Sequence, residues 1–428
     1  MKRLIALLLA AMMLFAIVAC ADDTPDAPAG GGAQDGFVPP FDVSGTTIVY
    51  AVEDAPDLEF IAAFEEWSGA TLDWQFLGED DYENVFLAMI MAGTPPDVIW
   101  MYESMAGRLD SREFFMPLTD LINYDDTDFW GQLGQQPIGL YDGVRYTAPY
   151  AAQSWFHMFY NTGLFENEGM ETPTQLLDRG AWTWEQMFDI ARHFTRDTTG
   201  DGVNDMVGLT ADWTGFVPMM MMTTLNTSYV TRDADGRFVN NVNDPTITGM
   251  MNTIYDAVSV HGIMPDGDNL EMFMAGNAAM FIGGAWYGSN ETFSSLLQSR
   301  AIAMVPSPTP CGTIDGLRFG DTTFMGIPRG AANPEGAAVL IYFMREQARQ
   351  AELPPDEDNT LILQGFTPRE VSYFTLPNLM LYYDQFIPGI WDLVSDSFWQ
   401  VMNGEEWSTI REWLNPQIQL LVDNLNAQ

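Results

Sequence analysis

The chain has 428 residues, of which 47% are apolar and 13% aromatic, enough for two or three domains of about 150 residues with cores of their own. Its 59 acidic residues outnumber 17 basic ones for a formal net charge of −42, and Lys2 is the only lysine. Such a field repels nucleic acid and anionic surfaces and excludes a nucleic-acid-binding function.

The N-terminus comes first in chain order. Lys2 and Arg3 precede an apolar run from Leu4 to Val18, followed by Ala19 and Cys20. A charged start, a short apolar stretch and a small residue before a cut describe a secretory signal peptide. A membrane span needs about 20 apolar residues, so the run is short for that role. Ile17-Val18-Ala19-Cys20 resembles a bacterial lipobox, which implies cleavage before Cys20 and acylation of its sulfur. Multiple acyl chains anchor a protein stably. Removing Lys2 and Arg3 leaves 15 basic residues against 59 acidic ones, a net of −44. Residues 21–40 are rich in Ala, Asp, Pro and Gly and read as a flexible tether. With Cys20 lipidated, Cys311 has no partner, so no disulfide framework is expected.

The first folded segment reads strand, helix, strand, helix, strand. Thr46 to Val52 is β-rich. Leu58, Ile61, Phe64 and Trp67 share a helical face, with Gly69 as its stop. Thr71 to Leu77 alternates again, and Tyr82 to Ala92 places Val85, Phe86, Met89 and Ile90 on one stripe ended by Gly93 and Pro95-Pro96. Asp97 to Met101 reads as a buried strand. This alternation predicts an α/β lobe with a largely parallel sheet. After a change of character near Tyr146 to Ala152, Thr183 and Gln186 form a capping-box pattern opening a helix with Met187, Ile190, Ala191 and Phe194 inward. Helical stretches are expected over Ile247 to Val260 and Leu270 to Ala279, and short strands around Phe319 to Ile327. A helix with Asn333 as N-cap and Pro334 at its first position follows, burying Ala337, Leu340, Ile341 and Met344. Pro388 to Leu425 reads as helical and Trp-rich.

Four groups of segments carry a resemblance. They are Phe64-Glu65-Glu66-Trp67-Ser68-Gly69 with Met91-Ala92-Gly93-Thr94-Pro95-Pro96-Asp97-Val98; Tyr160-Asn161-Thr162-Gly163-Leu164-Phe165 with Trp182-Thr183-Trp184-Glu185-Gln186 and Thr195 to Gly202; Phe273 to Met280 with Gly283-Gly284-Ala285-Trp286; and Gly326-Ile327-Pro328-Arg329-Gly330 with Asn333-Pro334-Glu335 and a tail at Gly404-Glu405-Glu406. Each is weak alone. In this order, over nearly the whole processed chain, they resemble the carbohydrate-type extracellular solute-binding proteins of ABC importers, the maltodextrin-binding group. The resemblance implies an α/β fold of two lobes with hinge crossovers and a ligand cleft, and hinge closure around the ligand. The expected organisation is a signal peptide over 1–19, a lipidated Cys and tether over 20–41, lobe one over 42–149 plus 307–350, and lobe two over 151–305 plus 355–428. Implied partners are a small carbohydrate, ABC permease subunits and, through the lipid, the extracytoplasmic face of the cell membrane; a monomer is expected.

Sugars present hydroxyls and an apolar C–H face, so a sugar site pairs carboxylates and amides with flat rings. Trp286, after a Gly283-Gly284 pair that lets backbone approach closely, is the first stacking candidate, and the resemblance implies a cleft tryptophan in this segment. Trp391 stands at a spacing from Gly404 that resembles a second stacking position. Tyr102 and Glu103 follow one strand and Glu53 and Asp54 another, at the sheet edge where α/β proteins hold ligands. Gln153 and Trp155 follow the crossover, and Asp212 and Trp213 precede the run Met219 to Met222, itself read as core. Each of these residues has a packing or surface alternative.

Asp197, Thr199, Asp201 and Asp205, with Gly202, match the first nine positions of a calcium loop. Position twelve is Gly208 where a bidentate Glu is needed, so either another segment supplies an oxygen to a structural calcium or the loop is a metal-free turn. No other cofactor is implied. The three histidines, His157, His193 and His261, have no zinc-motif spacing, and no nucleophile elbow, phosphate loop or dinucleotide fingerprint occurs. A binding protein and not an enzyme is therefore expected. The rivals are a cell-surface glycoside hydrolase, which uses aromatics and paired acids too, and a ligand-sensing lobe pair.

Overall fold

The computed structural model describes residues 40–427 apart from 79–81, 102, 107–110, 136–137, 142, 155, 234–236, 265–268, 352–358, 377–378, 381, 383, 385–386 and 388. Cys20, Tyr102 and Trp155 lie outside the described residues. The chain divides into two α/β units, the first from residues 1–152 and 322–360, the second from 153–321 and 361–428.

The first unit is built on a five-stranded sheet in the order Thr71–Phe76, Thr47–Val52, Val98–Met101, Asp321–Gly326, Thr147–Gln153. The first three strands are parallel, with Thr47 opposite Thr71 and Tyr50 opposite Val98, while Asp321–Gly326 runs antiparallel to Val98–Met101. The helix Leu58–Ser68 joins the first two strands. Asp57 caps it by accepting from the N–H groups of Glu59 and Phe60, and Gly69 ends it at φ 69°, in the left-handed region that favours glycine. Phe64 is fully buried on this helix but Leu58, at the first turn, is 76% exposed. In the helix Tyr82–Met91 the inward pair is Tyr82 and Phe86, one turn apart; Val85 faces outward, contrary to the stripe read from the sequence. Tyr82 turns in because its hydroxyl finds the carbonyls of Trp100 and Ala51.

Asp97, placed by the sequence at the mouth of a strand, is a buried brace. Its Oδ2 accepts from Val49 N–H at 2.9 Å and its Oδ1 from Asn333 N–H at 2.6 Å, tying the central strand to the start of the helix Pro334–Ala351. Asn333 caps that helix by accepting from Gly336 N–H. The helix is buried on all sides from Ala337 to Ala348, and Ala337, Leu340 and Ile341 join Ile48, Tyr50, Phe64 and Trp130 in one core.

The second unit has a four-stranded sheet in the order Ile302–Val305, Phe156–Asn161, Ala278–Gly284, Val207–Ala211. Phe156–Asn161 is antiparallel to both neighbours, and Ala278–Gly284 is parallel to Val207–Ala211. Thr183 caps the helix Trp184–Phe194 as expected, accepting from Gln186 N–H at 3.2 Å, and Met187, Ile190, Ala191 and Phe194 are all buried. The helix Phe216–Thr224 buries the whole run Met219 to Met222. The expected helix over Leu270 to Ala279 is shorter. It spans Asn269–Met274, Gly276 turns the chain at φ 79°, and Ala278 already belongs to a strand.

Residues 307–321 belong to the second unit, not to the first as the sequence reading had it. Trp182 of that unit holds the loop: its indole donates to Pro306 O at 2.8 Å, its backbone N–H donates to Gly312 O, and its carbonyl accepts from Thr309 N–H. Within the loop Arg318 is 1% exposed and donates to the carbonyls of Ser307 and Thr313, the partners a buried guanidinium requires. The chain crosses between units at 152/153, 321/322 and 360/361. Among the described residues no helix is long and apolar enough to cross a membrane.

Candidate functional site

The strand directions of the second unit gather chemistry at one edge of its sheet. Val207–Ala211 and Ala278–Gly284 are parallel, so Asp212 and the turn Ala285–Ser289 leave the sheet at the same end. Phe156–Asn161 is antiparallel and begins there, with Phe156 opposite Gly284. Loops at the carboxyl ends of parallel strands are the usual ligand sites of α/β proteins.

Aromatic rings assemble at this edge. Phe156 lies 4.0 Å from Phe216 and 5.1 Å edge-on from Trp286, measured between ring centroids. Trp213 stands 5.1 Å edge-on from Phe216 and 6.1 Å from Trp391, the two indoles tilted by 49°. Glycine makes this packing feasible at two places. A Cβ on Gly284 would stand 2.1–2.2 Å from three ring atoms of Trp286, and one on Gly215 would stand 2.3 Å from the ring of Trp213. Trp286, the foremost stacking candidate from the sequence, is only 7% exposed and is a wall of the cluster. The accessible rings are Phe156 and Trp213, both half-buried, and Trp391, which is 36% exposed at the start of the helix Trp391–Met402.

Asp212 sits beside these rings. Its backbone N–H donates to Ile282 O at 2.9 Å and its Oδ1 accepts from the Tyr287 hydroxyl at 2.7 Å. Gln153 is half-buried three residues before Phe156. Phe156, Phe216 and Tyr287 were not singled out by sequence reasoning. Tyr287 had a signal, since it directly follows Trp286 in the same turn; Phe156 was hidden by its ordinary strand context.

The first unit has a corresponding edge of its own. Thr47–Val52 and Val98–Met101 run parallel and end in Glu53-Asp54 and in the short helix Glu103–Ala106. Glu53 is 7% exposed and Asp54 is half-buried, its carbonyl accepting from the Trp74 indole at 2.9 Å. The two carboxylates also act on their surroundings: burial chiefly, and then the charges of Glu53 and Asp54, raise the Tyr82 hydroxyl far above its ordinary range.

In the Asp197 loop the carboxylates accept from the loop's own backbone. Asp197 accepts from the N–H groups of Thr199, Gly200 and Gly202, and Asp205 accepts from Thr198 N–H at 2.7 Å and its hydroxyl at 2.8 Å. These donors hold both carboxyls below the usual carboxylate range, the Gly202 N–H leading for Asp197 and the Thr198 N–H for Asp205. Asp201 Oδ1 accepts from Val203 N–H at 2.9 Å. Among the described residues no three His, Cys, Asp or Glu side chains converge as a metal site. A cavity of about 400 Å³ elsewhere in this unit, lined by Leu177, Thr313, Arg369 and Tyr373 among others, shares no residue with the aromatic edge.

The sequence profile described as bacterial extracellular solute-binding protein matches residues 59–354. No curated protein matches the chain. Many solved structures share its fold, among them the following three. An ABC substrate-binding protein from Listeria monocytogenes, in complex with cycloalternan, is 18% identical with a TM-score of 0.58, covering 87% of this chain and 99% of its own. The maltose/maltodextrin-binding domain from Bdellovibrio bacteriovorus bound to maltotriose is 16% identical with a TM-score of 0.56, covering 89% and 100%. A sugar transporter from Rhizobium etli is 15% identical with a TM-score of 0.66, covering 87% and 99%.

Proposed function

The chain belongs to the bacterial extracellular solute-binding proteins, and from that premise we propose that it captures a neutral sugar or oligosaccharide outside the cytoplasm for delivery to an ABC importer. One observation carries the choice of ligand: two accessible indoles, Trp213 and Trp391, stand 6.1 Å apart at the strand ends of the second unit, with the acidic Asp212 directly before Trp213 in the chain. Flat rings cover the C–H face of a sugar, and the carboxylate accepts from its hydroxyls in charge-assisted bonds about twice as strong as neutral ones. Similarity to the proteins that bind cycloalternan and maltotriose supports the same ligand class. Glu53 and Asp54 are proposed as acceptors at the edge of the first unit.

Cys20 is proposed as the lipidated N-terminus that holds the protein at the outer face of the membrane, with residues 21–40 as its tether. A ligand panel read by thermal shift tests the assignment, because a solute held only by the folded state raises the melting temperature. Maltotriose, D-tagatose, ribitol, D-glucuronate, dipeptides and phosphate esters form the panel. A shift with a neutral sugar or polyol supports the reading; silence from these beside a clear shift with dipeptides or phosphate esters sinks it. Release of shorter products from maltotriose would favour the hydrolase rival.

A further inference from the structure

Resting on the sugar-binding reading, we propose that Tyr287 is a positioning residue that fixes the Asp212 carboxylate, and that the acceptor so presented selects neutral, hydroxyl-bearing ligands against sugar acids. Among the described residues the Tyr287 ring packs against Phe281 at 5.6 Å, Phe293 at 5.9 Å and Trp286 at 6.0 Å between centroids. A ring clamped in this way has little freedom to swing, so its hydroxyl defines a point in space. From that point it donates to Asp212 Oδ1 at 2.7 Å, while the Asp212 backbone is pinned to Ile282. Both ends of the Asp212 side chain are thereby fixed.

Oδ2 is left over. Among the described residues no protein donor reaches it, and Asp212 is half-buried and directly precedes Trp213, so this oxygen keeps its capacity to accept. An ionised carboxylate accepts and cannot donate. It therefore rewards a ligand that brings O–H groups and opposes one that brings a second carboxylate. Discrimination of this kind comes from the unfavourable partner as much as from the favourable one.

The test is a double-mutant cycle on the whole processed protein, with maltotriose, D-tagatose, ribitol and D-glucuronate each titrated calorimetrically. Y287F keeps the ring and its packing, so its melting temperature should stay close to that of the wild type, while its affinity for the neutral probe falls about tenfold, as expected for loss of a bond to a charged group. D212N should lose at least as much affinity and narrow the gap between the neutral probe and D-glucuronate. The double variant should bind like D212N alone, because a residue acting only through Asp212 has nothing left to act on. Losses that multiply in the double variant, or a Y287F affinity within twofold of wild type, overturn the positioning role and leave the sugar reading intact. Wild-type protein that takes D-glucuronate as tightly as the neutral probes overturns the selectivity. If the wild type binds none of the three neutral probes, the sugar reading falls and this inference with it.

Discussion

Replacing Asp384 by asparagine should change how the stability of the protein depends on pH. Asp384 has no exposed surface, and its carboxyl accepts from Tyr229 N–H at 2.8 Å, Val230 N–H at 3.0 Å and the Tyr382 hydroxyl at 2.6 Å. Burial outweighs these three donors and pushes the carboxyl up from 3.8 to about 6. A raised carboxyl binds its proton more tightly in the folded chain than in the unfolded one. Its contribution to stability is therefore complete below pH 3.8 and is lost as pH rises through about 6. A difference of about two pKa units corresponds to about 3 kcal/mol. The other acids titrate too, so the informative quantity is wild-type stability minus D384N stability, from urea denaturation at intervals between pH 4 and 7. Asparagine must turn its amide toward a donor N–H, a cost that does not vary with pH. The difference should fall by about 3 kcal/mol across this window. A flat difference would refute dominance by burial, and a rising one would refute the sign. The consequence reaches the site, because the Tyr229 hydroxyl bonds Ser397 at 2.9 Å on the helix that carries Trp391.

G284A places a methyl within 2.2 Å of the Trp286 ring, so the ring must move; a loss of about 1–3 kcal/mol and a changed tryptophan emission spectrum are expected, and unchanged values would refute the close approach. Because Asp197 and Asp205 are engaged by backbone N–H groups, EDTA should leave the melting temperature within about 1 °C, and a larger fall would establish a bound cation. Replacement of Cys20 by serine should move the protein from the membrane fraction to the medium; retention on membranes would argue against lipidation of this residue.

Much of the fold was readable because local signals and tertiary packing agree. Gly69 and Asn333-Pro334 mark real helix ends, and the parallel order of the first three strands follows from their alternation with helices. Periodicity failed where a polar group had a partner it could not announce. Tyr82 reads as amphipathic, yet its hydroxyl bonds two carbonyls and draws the ring inward, turning Val85 to solvent. Residues 307–321 join the second unit through bonds to Trp182, and their Arg318 is buried on carbonyls of the same loop, partners that spacing does not announce. At the site, Glu53 and Asp54 were legible by their position after a strand, whereas Asp212 and Trp213 were singled out only as preceding the Met219 to Met222 run, the strand Val207–Ala211 before them going unread. Their individual roles depend on side-chain packing across distant segments. That packing walls in Trp286 and leaves Trp391 accessible, a distinction invisible in spacing alone.

The central claim is tested most directly by calorimetric titration of wild type and W391A with maltotriose, D-tagatose and ribitol. Trp391 is partly exposed, so its removal should leave the fold intact while stripping a stacking surface from the ligand. The account predicts binding of at least one probe by the wild type and a loss of about tenfold or more in W391A. Equal affinity in the two proteins, or no heat from any probe with the wild type, would contradict it.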